Sequence, residues 1–109
     1  MKAKKEKVAM RYGKAIFSLA QDLKKRNEFF TDFQKLKTLF NSKEINQSVL
    51  NPQTKESIKV KLLEMFMDKL SISDNVRNVV FYLYKKKRLQ KILAIISEYE
   101  ELYYASFNV

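Results

Sequence analysis

Gly13 and Pro52 are the only glycine and the only proline in a chain of 109 residues. A sheet protein needs a tight turn after each short strand, and those turns draw heavily on glycine and proline. With so little punctuation the chain is predicted to be all-α, its helices joined by short polar links. Length and a 46% apolar share suffice for one compact domain with a real core. The pattern along the chain divides it into a single-domain bundle of six helices.

The stretch from Val8 to Leu23 is the most informative of these. Val8, Tyr12, Ala15 and Leu19 recur at spacings of three and four, and Ala9, Gly13, Ile16, Ala20 and Leu23 make a second row beside them. One row can face the core, while the other either packs inside the fold or meets a partner. The small residues Ala9, Gly13, Ala15 and Ala20 leave room for another helix to approach closely. This first helix is expected to begin a few residues before Val8 and to run to about Lys24 or Lys25. There Lys24-Lys25-Arg26-Asn27 sets cations at the negative end of the helix dipole.

Asn27 is expected to cap a second helix from Glu28 to about Phe40, with Phe29, Phe33, Leu36 and Phe40 on one stripe and Phe30 and Leu39 widening it. Aromatic residues at helical spacing read as core rather than as a platform for nucleic-acid bases. Ser42 caps a short third helix carrying Ile45, Val49 and Leu50, and Asn51-Pro52 marks a turn. Thr54 is the expected cap of a fourth helix whose stripe is Ile58, Leu62, Met65 and Phe66, with Leu63 and Leu70 at its edges and Met65 and Met67 as core filler. Ser73 or Asp74 caps a fifth helix, Asn75 to Lys86. Its core stripe is Val76, Val80 and Leu83, beside a stripe of mixed polarity formed by Asn75, Asn78, Val79 and Tyr82. The rim of a groove has that mixture, and so does an ordinary boundary position. After the basic run Lys85-Lys86-Lys87-Arg88, a long sixth helix carries Leu89, Ile92, Leu93, Ile96, Tyr99, Leu102 and Tyr103, with Glu98, Glu100 and Glu101 on a solvated face.

The chain holds neither cysteine nor histidine. A zinc site of the usual Cys/His kind, a disulfide, a thiol nucleophile and an imidazole base are therefore excluded. Glu98 and Glu101 share a face at i, i+3, but a carboxylate di-metal bundle also draws on histidine, so they read as solvated. No catalytic residue, cofactor or metal site is expected. The longest apolar run, Ile92 to Ile96, falls far short of the roughly 20 residues that span a bilayer. Met1 to Lys5 opens like a signal peptide, yet Glu6, Lys7, Arg11 and Lys14 interrupt any apolar segment. The chain is accordingly expected to be soluble, without direct membrane insertion. Its net charge of +10 has two readings: solvation by a lysine-rich composition, or a small basic helical domain that binds nucleic acid through Lys24 to Arg26 and Lys85 to Arg88. Both runs stand at helix ends, where cations already have a structural reason, so nucleic acid is the competing reading and not the first.

The residues also carry a resemblance. Arg11 to Ala20, RYGKAIFSLA, resembles the RYAKALFELA-type opening of the delta subunit of F-type ATP synthases, called the oligomycin-sensitivity conferral protein in mitochondria. Val79 to Tyr84, then Arg88-Leu89, then Ile92, Ile96, Tyr99 and Leu102 are similar to that family's "fLxLLxxNgRLxxLxxIxxxFexL" segment, and Asn51-Pro52 stands at its asparagine-proline turn. The ordered set covers roughly residues 8 to 104. Two departures stand out. Gly13 replaces the usual alanine, at a cost of about 1 kcal/mol of helix stability unless close packing needs it. Lys86-Lys87 replaces an Asn-Gly turn, so the link between the fifth and sixth helices is expected to differ or to be more helical.

What the resemblance implies is a six-helix N-terminal domain, with the family's C-terminal domain, which engages the b subunit of the peripheral stalk, absent after Val109. It implies a non-catalytic stator subunit, a monomer within its complex, peripheral to the cytoplasmic face of a bacterial inner membrane. Its task would be to bind the amphipathic N-terminal helix of an alpha subunit in a groove between the first and fifth helices, so that rotation is coupled to ATP synthesis. Carried onto this chain, the groove residues would be Tyr12, Ala15, Ile16 and Leu19 from the first helix and Asn78, Val79 and Tyr82 from the fifth. The tyrosines would give amphipathic contact area, Ala15 close approach, and Asn78 a polar contact at the rim.

Overall fold

The Glu6 carboxylate accepts hydrogen bonds from the backbone N–H groups of Val8 and Ala9, both at 3.0 Å, and so starts the first helix, α1 (Lys7–Asp22). The computed structural model describes residues 6–107; the basic opening Met1 to Lys5 lies outside them. Among the described residues the chain is all-α: α1 is followed by α2 (Arg26–Phe40), α3 (Lys43–Gln47), α4 (Glu56–Lys69), α5 (Asp74–Lys85), a 3-10 turn (Leu89–Lys91) and α6 (Ile92–Ala105). Six helices in one body of 46 × 33 × 22 Å match the architecture expected from the pattern.

Three helices end alike. Lys24, Ser71 and Lys87 follow α1, α4 and α5 with φ of 58°, 54° and 58°. In each case the next residue's N–H reaches back across the last turn: Lys25 to the Ala20 carbonyl (2.8 Å), Ile72 to Met67 (3.0 Å) and Arg88 to Leu83 (2.8 Å). This left-handed cap normally takes glycine, but the chain's one glycine lies inside α1, so lysine and serine occupy the strained position instead.

These caps correct several boundaries. α1 stops at Asp22, and the Lys24 turn leads straight into α2, which starts after Lys25 without a side-chain cap. Asn27 is not a cap; its amide oxygen accepts the Tyr103 hydroxyl at 2.8 Å. Ser42 does cap α3, accepting from the Ile45 N–H. Thr54 does not cap α4: Lys55 stands at the N-cap position without a side-chain cap, and the Thr54 N–H closes the Asn51-Pro52 turn on the Asn51 carbonyl at 3.1 Å. Ser73 precedes α5 but its hydroxyl makes no cap bond; its N–H donates to the buried Asp32 carboxylate at 3.0 Å. Lys86-Lys87 is a turn and not a helical continuation, and Leu89 sits in the 3-10 turn ahead of α6.

The core gathers around α6. Tyr99 is fully buried, with the rings of Phe17, Phe29 and Phe33 against it and its hydroxyl on the Arg26 carbonyl at 2.7 Å. Burial pushes this phenol's pKa well above the usual range. Glu100 is not on a solvated face: it is half-buried and accepts from Gln34 (2.6 Å) and Lys37 (2.8 Å), tying α6 to α2. α4 turns Leu63, Phe66 and Met67 inward, so two members of its expected stripe, Ile58 and Met65, face outward at 46% and 50% exposure. Two apolar rows run along α4, and spacing alone does not choose between them.

Candidate helix-docking face

α1 is pinned to α6 by its smallest residues. Ala9, Gly13, Ile16 and Ala20 are buried, and a Cβ on Gly13 would stand only 2.5 Å from the Cβ of Glu98. The missing side chain lets the two backbones approach, the close packing that justifies glycine inside a helix. Glu6 pairs with Lys91 at 3.4 Å, Gly13 lies against Ile95 and Glu98, and Phe17 meets Tyr99, so α1 and α6 run in the same direction. Because this row takes the core, the other apolar row of α1 is turned away from it.

That second row is Val8, Tyr12, Ala15 and Leu19. Val8 and Tyr12 are half-buried, Ala15 is exposed, and Leu19 is 42% exposed. α5 ends beside the start of α1, and its Tyr82 meets Tyr12 edge to face, with ring centroids 6.3 Å apart.

The seven residues singled out from the sequence divide into three groups. Ala15, Leu19, Asn78 and Tyr82 are exposed, Tyr12 is half-buried, and Ile16 and Val79 retain only 6% and 8% exposure as members of the core. The Tyr12–Tyr82 pair joins the two helices. Two neighbours belong with these residues. Leu23, grouped by spacing with the Ala9–Ala20 row, does not follow that row into the core: it is 41% exposed and, at i+4, extends the Leu19 row by one turn. The Lys86 ammonium stands 5.6 Å over the Tyr82 ring, again at i+4, and gives this end of the face a positive charge.

The Glu6 carboxyl next to this face titrates below its ordinary range. Partial desolvation opposes ionisation, but the N–H groups of Val8 and Ala9 and the nearby Lys91 ammonium outweigh it.

The basic runs are not one patch. Arg26 lies over the Phe107 ring, 5.2 Å from its centroid, beyond the end of α6, whereas Lys85 to Arg88 adjoin its start. Fourteen helical residues, about 20 Å, separate them. Each borders a shallow hollow: one of about 420 Å³ lined by Gln21 and Lys24 to Glu28, the other of about 590 Å³ lined in part by Lys59, Tyr84, Lys85 and Lys87. Among the described residues no group of carboxylates could hold a metal ion, and no helix is long and apolar enough to cross a membrane.

Comparison with known proteins places these features in a family. The family model described as "ATP synthase delta (OSCP) subunit" matches residues 8–109. "ATP synthase subunit delta" of Ligilactobacillus salivarius is 32% identical over 103 residues, covering 94% of this chain and 56% of the relative. Its counterpart in Fusobacterium nucleatum is 32% identical, covering 92% and 57%. "ATP synthase subunit delta, sodium ion specific" of Propionigenium modestum is 31% identical, covering 94% and 58%. The chain thus spans a little over half the length of these relatives. No solved structure gives a significant match.

Proposed function

The chain belongs to the ATP synthase delta (OSCP) subunit family, and on that premise we propose that it is a non-catalytic stator component that holds the amphipathic N-terminal helix of an alpha subunit on the α1/α5 face. The observation that carries this reading is the division of labour on α1. Its small row is committed to α6, and a second apolar row, with Tyr12 half-buried and Leu19 exposed, is left at the surface beside Tyr82. An incoming helix with apolar side chains at i, i+3, i+4 and i+7 can lie along that row. Ala15 lets its backbone come close, the tyrosine rings give area with few rotatable bonds, and Asn78 offers a polar group at the edge.

The mechanical role follows from holding and not from chemistry. A stator transmits torque only if its contact with the catalytic head resists the turning of the central stalk. Fully burying a leucine- or tyrosine-sized side chain contributes about 1.5–3 kcal/mol, so several anchors on one rigid helix make such a contact. Engagement of the b subunit belongs, by the family resemblance, to a C-terminal domain and uses no residue of this face. In this reading the protein sits peripherally at the cytoplasmic face of a bacterial inner membrane as part of the synthase.

Replacing Ala15 by Asp tests the placement. Ala15 is exposed, so the variant folds, but a carboxylate is set where the partner's backbone should approach. Calorimetric titration with a peptide of the alpha N-terminal helix should show at least tenfold weaker binding. Unchanged affinity would remove the partner from this face.

A further inference from the structure

We propose that α4 carries a second, separate docking surface, for an acidic amphipathic helix of a partner protein. Ile58 and Met65, seven residues apart and each about half exposed, lie on one face of α4, with the half-buried Leu62 between them. An i, i+4, i+7 spacing is one side of a helix–helix seam. Nothing else among the described residues depends on these two side chains for its core packing, since α4 meets the interior through Leu63, Phe66 and Met67.

The charges around the stripe indicate what covers it. Lys55, Lys61 and Lys69 are exposed, and by their spacing from Ile58 and Met65 they frame the same face. None of the three is in an ion pair among the described residues. Of the three carboxylates of α4, Glu56 accepts the Tyr84 hydroxyl and Asp68 pairs with Arg77, both on α5, while Glu64 is exposed next to Met65. Glu56 and Asp68 are thus engaged with α5, and around the Ile58–Leu62–Met65 stripe three lysines outnumber the one remaining carboxylate, Glu64. A second copy of the chain would bring lysines against lysines on a molecule already at +10, so complementarity selects an acidic occupant. The stripe is one residue wide and wholly aliphatic, with no aromatic residue of the kind that anchors helices at a lipid interface. It fits another helix better than a membrane.

The test uses the folded chain and two synthetic amphipathic peptides of about four turns. Both carry leucine along one seam; one is flanked by glutamate and the other by lysine. The glutamate peptide should shift the amides of residues 55–69 saturably, and the lysine peptide should not. The Ile58→Asp/Met65→Asp variant should bind the glutamate peptide at least tenfold more weakly. A Lys61→Glu/Lys69→Glu variant, which leaves both apolar residues in place, should also lose binding and recover it for the lysine peptide. Equal binding by the Ile58→Asp/Met65→Asp variant would reduce the effect to charge attraction and overturn the proposal. Shifts confined to residues 8–23 and 75–86 would overturn it while leaving the α1/α5 reading intact. Binding of α4 only to vesicles of anionic lipid would assign the face to a membrane instead.

Discussion

Gly13 backs directly onto Glu98: at 2.5 Å from the Glu98 Cβ there is no space for a side chain between α1 and α6. This contact fixes which row of α1 is interior, and with it which row is presented to a partner.

Gly13→Ala should therefore destabilise the protein, even though alanine is the better helix former by about 1 kcal/mol. Both the new methyl group and the Glu98 Cβ belong to packed backbones, so the helices must separate. The expected net loss is roughly 1–3 kcal/mol, read as a lower denaturant midpoint. A rise in midpoint would show that α1 and α6 can part without strain.

Lys87→Gly should act in the opposite direction. Lys87 holds φ at 58° in a cap that glycine fills without strain. Relief of left-handed strain, about 1–2 kcal/mol, exceeds the backbone entropy that glycine adds to the unfolded chain. Stability should rise by a fraction of a kcal/mol up to about 1 kcal/mol, read as a higher denaturant midpoint, with no change in the helical spectrum.

Tyr84 gives the α4–α5 contact a signature at high pH. Its hydroxyl donates to the Glu56 carboxylate, and this hydrogen bond, with some desolvation, raises its pKa from 10.0 to about 12. The folded protein thus holds this proton more tightly than the unfolded chain does. The resulting stabilisation is complete below pH 10, the unfolded value, and disappears as pH rises through about 12. In a phenolate absorbance titration, Glu56→Ala should return one tyrosine toward its ordinary range and leave the buried Tyr99 high.

Tyr99→Phe should cost about 0.5–1.5 kcal/mol, the net worth of one hydrogen bond, because the Arg26 carbonyl, in the first turn of α2, keeps its helical donor. The ring contacts with Phe17, Phe29 and Phe33 survive the change, so the loss isolates the hydrogen bond to Arg26. A denaturation midpoint equal to that of the unaltered protein would mean that water replaces the hydroxyl.

Much of this fold was legible because helical periodicity and the scarcity of glycine and proline point the same way. The two rows of α1 were visible as rows, but only Glu98 behind Gly13 decides which is interior, and that is a fact about α6. On α4 the same ambiguity led to the outward row, since Ile58 and Met65 are as apolar as the residues that face the core. Asn27 and Thr54 are good caps by residue type, yet the Asn27 amide is taken by Tyr103 and α4 starts beyond Thr54, after Lys55. For the docking face, spacing identified the exposed Leu19 and Tyr82 but did not separate them from the buried Ile16 and Val79, because depth depends on how α1 and α5 are turned against α6.

The most direct test of the account is an amide chemical-shift titration of the protein with a peptide of the alpha subunit's N-terminal helix, repeated at high salt and with duplex DNA as control. The account predicts saturable shifts concentrated on residues 8–23 and 75–86 that persist in high salt, because apolar contact is screened little. Silence with the peptide, together with salt-sensitive shifts around Lys85 to Arg88 on adding DNA, would contradict it and identify a phosphate-binding surface instead.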